Sequence, residues 1–222
     1  MSIVLAVAPH PDDETLGCGG TLLRHRAEGD DIHWLIITAM SEVLGFSAEQ
    51  IIKRDKEITG IAEAYDFASI TRLDLPTALL DTQPLGDLVG AIGGVFGSIQ
   101  PEIVYAPFPG DAHSDHRVVF DAVSACCKWF RHSSLRRVMA CEIPSETDVG
   151  IDPTSAPFRP NLFVNVSDYL DKKIQIMKNY DGEMGDFPFP RSEQSIRALA
   201  HHRGSQAGYA AAEAFMTLKE IR

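Results

Sequence analysis

The feature that most constrains the fold is a run of six apolar residues near the start of the chain, Ile3 to Ala8. Apolar and polar residues do not alternate within it, which is typical of a strand covered on both faces. Such strands occur almost only in parallel sheets with helices on each side. A second run of this kind, Ile32 to Thr38, follows a stretch with helical spacing that stops at Gly29. The chain is therefore predicted to be an α/β protein.

Strand and helix patterns alternate along the rest of the chain. Further strands are predicted at residues 69–75, 103–106, 137–143 and 161–166. Helices are predicted at residues 21–28, 81–98, 116–130 and 168–180, from Ser192 onward, and from a cap at Ser47 to about residue 64. The proline-rich stretch 144–160 is predicted to be a long surface loop. This order predicts a single doubly wound (Rossmann-like), mostly parallel sheet with helices on both faces, formed by one domain over residues 1–222.

Composition excludes several classes of protein. The 222 residues suit one domain, and the net charge of −11, from 20 basic and 31 acidic residues, disfavours binding to nucleic acid or to an anionic membrane surface. The apolar runs are far shorter than a membrane-spanning helix, and no signal peptide is recognisable, so we expect a cytoplasmic protein. The four cysteines lack CxxC spacing and are expected to be buried small side chains.

Two clusters of ionisable residues follow two of the predicted strands, at the point where each strand ends. Carboxyl ends of parallel strands lie at one edge of the sheet, where ligands of such folds bind. The clusters are therefore expected to meet in space, although most of the first half of the chain separates them. They consist of His10, Asp12, Asp13 and Glu14, and of Asp111, His113, Asp115 and His116.

Imidazole and carboxylate groups in this pattern suit metal ligation. A catalytic zinc typically takes three such ligands and keeps a position for water. The pairs His10/Asp13 and His113/His116 are each three residues apart, so a turn of helix would bring each pair to one point. Taken singly, each cluster has another interpretation, because its Asp or Ser residues could cap the helix that follows.

The glycines at 17–20 also suggest a nucleotide-binding motif. That interpretation fails, since Leu22 and Thr38 occupy the positions where the motif needs a glycine and an acid.

The first motif, Ala-Pro-His-Pro-Asp-Asp-Glu-Thr-Leu-Gly-Cys-Gly-Gly at residues 8–20, and the second, His113-Ser-Asp-His116, resemble the PIG-L/LmbE-like family of zinc-dependent N-acetylglucosaminyl de-N-acetylases. Two further segments are similar to that family: Arg54-Asp-Lys-Glu57, and the C-terminal stretch from Arg203 to Phe215. The resemblance implies Zn²⁺ as the metal. Two histidines and one carboxylate also suit Fe²⁺.

The resemblance also implies a role for each residue of the motifs. His10, Asp13 and His116 would bind the metal, and Asp12 would be the general base that deprotonates the attacking water. His113 would be the general acid and help to stabilise the oxyanion, with Asp115 orienting it. Glu14 is placed behind the ligands. Arg54 would bind substrate, or else form only an intrahelical ion pair with Glu57.

The predicted function is a metal-dependent hydrolase that removes the acetyl group from a small-molecule acetamido sugar of the N-acetylglucosamine type, using a metal-activated water. Two alternatives remain: a non-catalytic metal- or sugar-binding domain of the same fold, and a hydrolase of a different amide. The loops 40–46, 144–160 and 183–191 are expected to select the substrate, and the resemblance leaves a homo-oligomer open. Phenylalanines that could stack on sugar rings are Phe46, Phe158, Phe187 and Phe189. His201, His202 and Arg203 could reach the site or lie on a solvated helix face.

Overall fold

The computed structural model describes residues 1–152, 154 and 156–222, and within these it has one mixed sheet flanked by helices. The strands are β1 (Ile3–Ala8), β2 (Asp31–Ala39), β3 (Ser69–Pro76), β4 (Ile103–Ala106), β5 (Arg137–Cys141), β6 (Leu162–Asn165) and β7 (Ala212–Glu220). The helices are α1 (Asp13–Ala27), α2 (Ala48–Tyr65), α3 (Leu85–Ile99), α4 (Ser114–Cys126), α5 (Leu170–Met177) and α6 (Glu193–Ala207). Short 3₁₀ helices cover Glu42–Leu44 and Leu80–Thr82.

The sheet has the strand order β3-β2-β1-β4-β5-β7-β6. Strand β1 lies near its centre and pairs in parallel with β2 on one side and with β4 on the other. Strands β3 and β5 extend the parallel part outward. Strand β7 is antiparallel to both of its neighbours, β5 and β6. The predicted α/β fold with a mostly parallel sheet is confirmed.

Successive residues of β1 enter two separate apolar cores, one on each face of the sheet. Val4 and Ala6 pack in the core that α1, α2, α5 and α6 cover. Leu5 and Val7 pack in the opposite core, which α3 and α4 cover. Because a strand alternates its side chains between faces, only an unbroken apolar run can fill both cores. The predicted placement of helices on both faces is also confirmed.

Helix α1 begins at Asp13, whereas the sequence predicts a helix only from residue 21, after the glycines at 17–20. Glycine disfavours a helix in isolation, but here it lets α1 approach the sheet closely. A Cβ atom on Gly17 would lie 2.9 Å from the Cβ of Cys141, and one on Gly20 would lie 2.9 Å from the Cβ of Val166. Tertiary packing thus overrides the local preference.

The C-terminal part of the chain departs furthest from the expectation. The helix expected from Ser192 ends at Ala207, with Gly208 in the left-handed conformation, and the chain then returns as β7.

Helix α3 starts at Leu85 rather than residue 81, because Pro84 separates it from the preceding 3₁₀ turn. Ser47 caps α2 as predicted and forms a capping box with Gln50.

The described residues of the predicted loop 144–160 form no helix or strand, while positions 153 and 155 lie outside the described residues. No helix in the described part of the chain has the length and apolar character to span a membrane.

Candidate active site

The two ionisable clusters lie side by side at the carboxyl ends of β1 and β4, which are neighbouring parallel strands. The helix after β1 covers one face of the sheet and the helix after β4 covers the other, so the clusters occupy the point where the winding of the fold reverses. The ring centre of His10 lies 4.5 Å from that of His113 and 5.3 Å from that of His116. The structure therefore brings together the residues that the sheet-edge argument expected to meet.

The three candidate metal ligands converge on one point. Oδ2 of Asp13 lies 3.3 Å from Nδ1 of His10 and 3.2 Å from Nε2 of His116. One ligand atom from each of these residues lies within 4.8 Å of the other two. Asp13 and His116 are buried, while His10 is partly exposed toward solvent. Two imidazoles and one carboxylate, with one open side, match the ligand set of a catalytic zinc site.

A carboxylate lies on the outer nitrogen of each candidate histidine ligand. Nε2 of His10 is 3.0 Å from Oδ2 of Asp115, and Nδ1 of His116 is 2.9 Å from Oδ2 of Asp111. Oδ1 of Asp111 in turn accepts a hydrogen bond of 2.7 Å from the hydroxyl of Thr147. If each outer nitrogen carries the proton, each inner nitrogen presents a lone pair to the central point.

Nε2 of His116 supports this arrangement, because it is buried and makes no hydrogen bond within the described part of the chain. Although burial opposes it, the charge of Asp13 and a hydrogen bond with Asp111 raise the pKa of His116 to about 10. Burial also opposes the shift at His10, where hydrogen bonds with Asp115 and Asp13 raise the pKa to about 9. The surrounding carboxylates thus favour positive charge at this point, as a divalent cation requires, and the residues present fit such an ion.

Asp12 is buried beside the candidate ligands and has an unusual backbone conformation. Its φ of 130° lies in a region that costs a non-glycine residue about 1–3 kcal/mol. Its backbone N–H donates to Oε2 of Glu14 (3.1 Å), and its Oδ2 accepts from Nη1 of Arg191 (2.8 Å). Burial and the charge of Asp13 raise the pKa of Asp12 well above its usual range, whereas Arg191 acts in the opposite direction.

Glu14 lies behind this segment and fixes its backbone. Besides the Asp12 N–H, its carboxylate accepts hydrogen bonds from the hydroxyls of Thr15 (2.5 Å) and Tyr180 (2.7 Å). Burial raises the pKa of Glu14 to about 7. Its contacts with the site are with Asp12 rather than with a candidate ligand.

His113 caps the N-terminus of α4. Its Nδ1 accepts a hydrogen bond of 3.1 Å from the backbone N–H of Asp115, so a neutral ring carries its proton on Nε2. Burial and then the charge of His10 lower the pKa of His113 below its ordinary value. The Asp115 carboxylate makes its side-chain hydrogen bond with His10, while its backbone N–H contacts His113 and its charge opposes the lowering of the pKa of His113. The role of Asp115 in orienting His113 stays a prediction.

The family model described as PIG-L, GlcNAc-PI de-N-acetylase, matches residues 5–127, more than half of the chain. The chain belongs to the PIG-L family. A diacetylchitobiose deacetylase from Thermococcus kodakarensis is 29% identical over 225 residues, which cover 95% of this chain and 80% of that protein.

Solved structures share the fold of this PIG-L chain over nearly their whole length. A conserved protein of Thermus thermophilus, TT1542, is 25% identical with a TM-score of 0.78, covering 100% of this chain and 97% of its own. GalB, the 4-carboxy-2-hydroxymuconate hydratase of Pseudomonas putida KT2440, has a TM-score of 0.79 at 18% identity, covering 100% of this chain and 98% of its own. Because a hydratase has this fold too, likeness of fold alone does not define the reaction.

A cleft of about 820 Å³, including its open mouth, lies beside the candidate ligands of this PIG-L chain. His10, Asp12 and His113 form part of its wall, and Arg54 lines it as well. Each of the three loops expected to select the substrate reaches the cleft. Loop 40–46 contributes Met40 and Phe46, and loop 144–160 contributes Glu146. Loop 183–191 contributes Glu183 and Arg191.

Arg54 does both things that the sequence left open, since it lines the cleft and its Nε lies 3.2 Å from Glu57. Of the four phenylalanines considered for stacking, Phe46 lines the cleft. Phe158 packs edge-to-face on Phe108, and Phe187 and Phe189 are exposed. In the C-terminal segment, Arg203 pairs with Glu142, while His201 and His202 are exposed on α6 and are not among the described residues that line the cleft.

Sequence reasoning missed Arg191 as part of the site, and it placed Asp111 in the second cluster without its contact to His116. Arg191 lies between a proline-rich loop and α6, where one sequence carries no sign that its side chain reaches Asp12. The sequence offered Asp111 as a possible helix cap, but its position also indicated a contact with a histidine ligand. An acid in the loop after β4, five residues before a candidate histidine ligand in α4, is placed to hold the outer nitrogen of that histidine.

Proposed function

We propose that this PIG-L chain hydrolyses the acetamide of an N-acetylglucosamine-type sugar in a metal-dependent reaction. The observation that carries the proposal is Asp12, a carboxylate that faces the cleft directly beside three converging candidate ligands. A purely structural metal site has no use for such a group. The T. kodakarensis relative supports an acetylated glucosamine oligomer as substrate.

We propose Zn²⁺ as the ion, held by Nδ1 of His10, Asp13 and Nε2 of His116, with Fe²⁺ as the second candidate. A divalent ion at these ligands supplies Lewis acidity, which polarises the amide carbonyl and makes water a stronger acid. Asp115 and Asp111 hold His10 and His116 in the tautomers that ligation needs. These two carboxylates therefore fix the orientation of the two rings.

Asp12 is proposed as the general base. Arg191 engages its Oδ2, which leaves Oδ1 to accept a proton from the attacking water. Its raised pKa brings the carboxylate closer to the range in which a base works well near neutral pH. The Glu14 contact holds the strained backbone of Asp12, and the Arg191 contact holds its carboxylate.

His113 is proposed to act across the cleft from Nε2, by donating a hydrogen bond to the carbonyl oxygen as negative charge develops there. The Asp115 N–H at its Nδ1 favours this donor form. The general-acid role implied by the resemblance needs protons on both nitrogens, so it would require that contact to break. Asp12, having taken the proton of the water, is the other group that can protonate the leaving nitrogen.

Acetate release tests the proposal. Zinc-loaded protein is assayed with N-acetylglucosamine, its simple glycosides and N,N'-diacetylchitobiose, beside Asp12→Asn and the exposed control Asp121→Asn. We expect Asp12→Asn to keep its metal and lose about 10²–10⁴-fold in kcat, and Asp121→Asn to retain full activity. Metal retention with sugar binding but no acetate release would instead favour a non-catalytic domain of the same fold. Release from other acetamides alone would favour a hydrolase of a different amide.

A further inference from the structure

The cleft contains arginines whose charges are already matched by carboxylates of the protein. Among the described residues that line it are Arg54, Arg72 and Arg191. Arg72 lies on the outer side, where its Nη1 is 2.7 Å from Asp55. Arg54 and Arg191 lie nearer the candidate base and share one partner, Glu183. This shared carboxylate distinguishes the inner part of the cleft.

Glu183 bridges the two inner arginines with its two oxygens. Its Oε1 accepts a hydrogen bond of 2.5 Å from Nη2 of Arg54, and its Oε2 accepts one of 3.1 Å from Nη1 of Arg191. The side chains of Arg54 and Arg191 are 10% and 17% exposed, so neither guanidinium is fully solvated. Two such cations near each other need counter-charge. Glu183 is the carboxylate that both share, while Arg54 also pairs with Glu57 and Arg191 with Asp12.

Other contacts hold both guanidinium groups in place independently of Glu183. Nη1 of Arg54 donates to the carbonyl oxygen of Pro11 (3.1 Å), and its Nε lies 3.2 Å from Glu57. Nε of Arg191 donates to the hydroxyl of Ser145 (2.7 Å). The two arginines therefore form a fixed anion-binding site, which a carboxylate of the protein itself occupies.

An anionic group on a substrate can use these arginines only by displacing Glu183, and it would also face the nearby carboxylates of Asp12 and Glu146. An uncharged sugar ring or alcohol neither competes with Glu183 for the arginines nor is repelled by the nearby carboxylates. We infer that Glu183 makes the cleft selective for N-acetylglucosaminides whose remaining part is uncharged, and excludes those that carry a carboxylate or phosphate. The inference rests on the proposed function and specifies its substrate class.

The test is a ratio of kcat/KM values. The neutral substrate is N,N'-diacetylchitobiose, and the anionic substrates are the N-acetylglucosaminide of malate and N-acetylglucosamine 6-phosphate. Glu183→Gln keeps the shape of the side chain and removes its charge, and Glu183→Ala is a second variant. The control is Glu193→Gln, which removes the same charge from a partly exposed position at the start of α6, outside the cleft.

We expect the wild-type protein to prefer the neutral substrate by at least about tenfold, and Glu183→Gln to shift the ratio toward the anionic substrates by about tenfold or more. Glu193→Gln should leave the ratio unchanged. Because the readout is a ratio of two kcat/KM values, a general loss of activity in the variant lowers both values equally and leaves the ratio unchanged. Equal use of neutral and anionic substrates by the wild-type protein would overturn the inference, as would equal ratios in the Glu183 and Glu193 variants.

Absence of acetate release from every substrate would contradict the proposed function rather than this inference. The selectivity is then read from calorimetric titration of the malate glycoside into the wild-type protein and each variant. Binding at least about tenfold tighter to Glu183→Gln than to the wild-type protein supports the role of Glu183. Unchanged affinity in both Glu183 variants, with circular dichroism showing them folded, rules it out.

Discussion

Nε2 of His10 lies 3.0 Å from Oδ2 of Asp115, although 105 positions separate the two residues in the chain. The Asp115 carboxylate also accepts hydrogen bonds from the backbone N–H groups of Ala78 (2.7 Å) and Leu80 (3.1 Å). Asp115 thus joins three segments: the loop after β1, the start of α4 and the turn after β3. A candidate metal ligand is oriented by a residue that also fixes the surrounding backbone.

Asp115→Asn is expected to weaken metal binding. An asparagine keeps one acceptor oxygen and turns its NH₂ group toward a donor, so at least one of the contacts with His10, Ala78 and Leu80 is lost. Loss of such an outer partner typically costs about 10–100-fold in metal affinity. Competition with a chromophoric zinc chelator measures the change, with Asp121→Asn as the exposed control on α4. Equal affinities in the two variants would mean that Asp115 does not orient His10.

His113→Gln separates the two roles considered for His113. A glutamine amide can donate a hydrogen bond toward the substrate but cannot transfer a proton. If the main role is to donate from Nε2, loss of the donor costs about 10²–10³-fold in kcat, and Gln should recover part of what Ala loses. We expect His113→Gln to be at least about tenfold more active than His113→Ala. Steady-state kinetics of the two variants at matched zinc content distinguish the two roles of His113. Equal inactivity of both variants would favour the general-acid role.

The fold was predictable where local pattern and burial agree. The apolar run of β1 fills two cores at once, and Ser47 caps α2 through its own neighbours in sequence. The meeting of His10 with His116 was predictable for a different reason, since it follows from strand ends in a parallel sheet. None of these expectations required knowledge of side-chain directions.

The missed features depend on contacts between distant parts of the chain. Strand β7 is stabilised by antiparallel pairing with β5 and β6, and its buried Glu213 does not look like a core residue in the sequence. Helix α1 contains glycines that only the approach of Cys141 and Val166 explains. The partners of His10 and His116 depend on which way each ring nitrogen points, which spacing does not reveal.

Glu213→Ala is expected to destabilise the protein by about 3–5 kcal/mol, because it leaves the charge of buried Lys173 uncompensated. Oε1 of Glu213 lies 2.7 Å from Nζ of Lys173, and its carboxylate also accepts hydrogen bonds from the backbone N–H groups of Gly20 and Thr21. Urea unfolding measures the loss. The control Glu220→Ala, at the exposed end of β7, should change stability by less than about 0.5 kcal/mol. A loss of similar size in both variants would show that the buried pair adds no more to the free energy of unfolding than the exposed Glu220 does.

Two glycine-to-alanine substitutions should change stability in opposite directions. A Cβ on Gly20 would lie 2.9 Å from the Cβ of buried Val166, so Gly20→Ala forces α1 and the segment after β6 apart, at a cost of about 1–3 kcal/mol. Gly94 lies on the exposed side of α3, and a Cβ there meets no heavy atom within 4 Å. Gly94→Ala should therefore stabilise the protein by about 0.5–1 kcal/mol through helix propensity alone. Thermal unfolding of both variants, monitored by circular dichroism, gives the sign of each change. A stabilising Gly20→Ala would mean that α1 does not pack against the sheet as closely as its glycines allow.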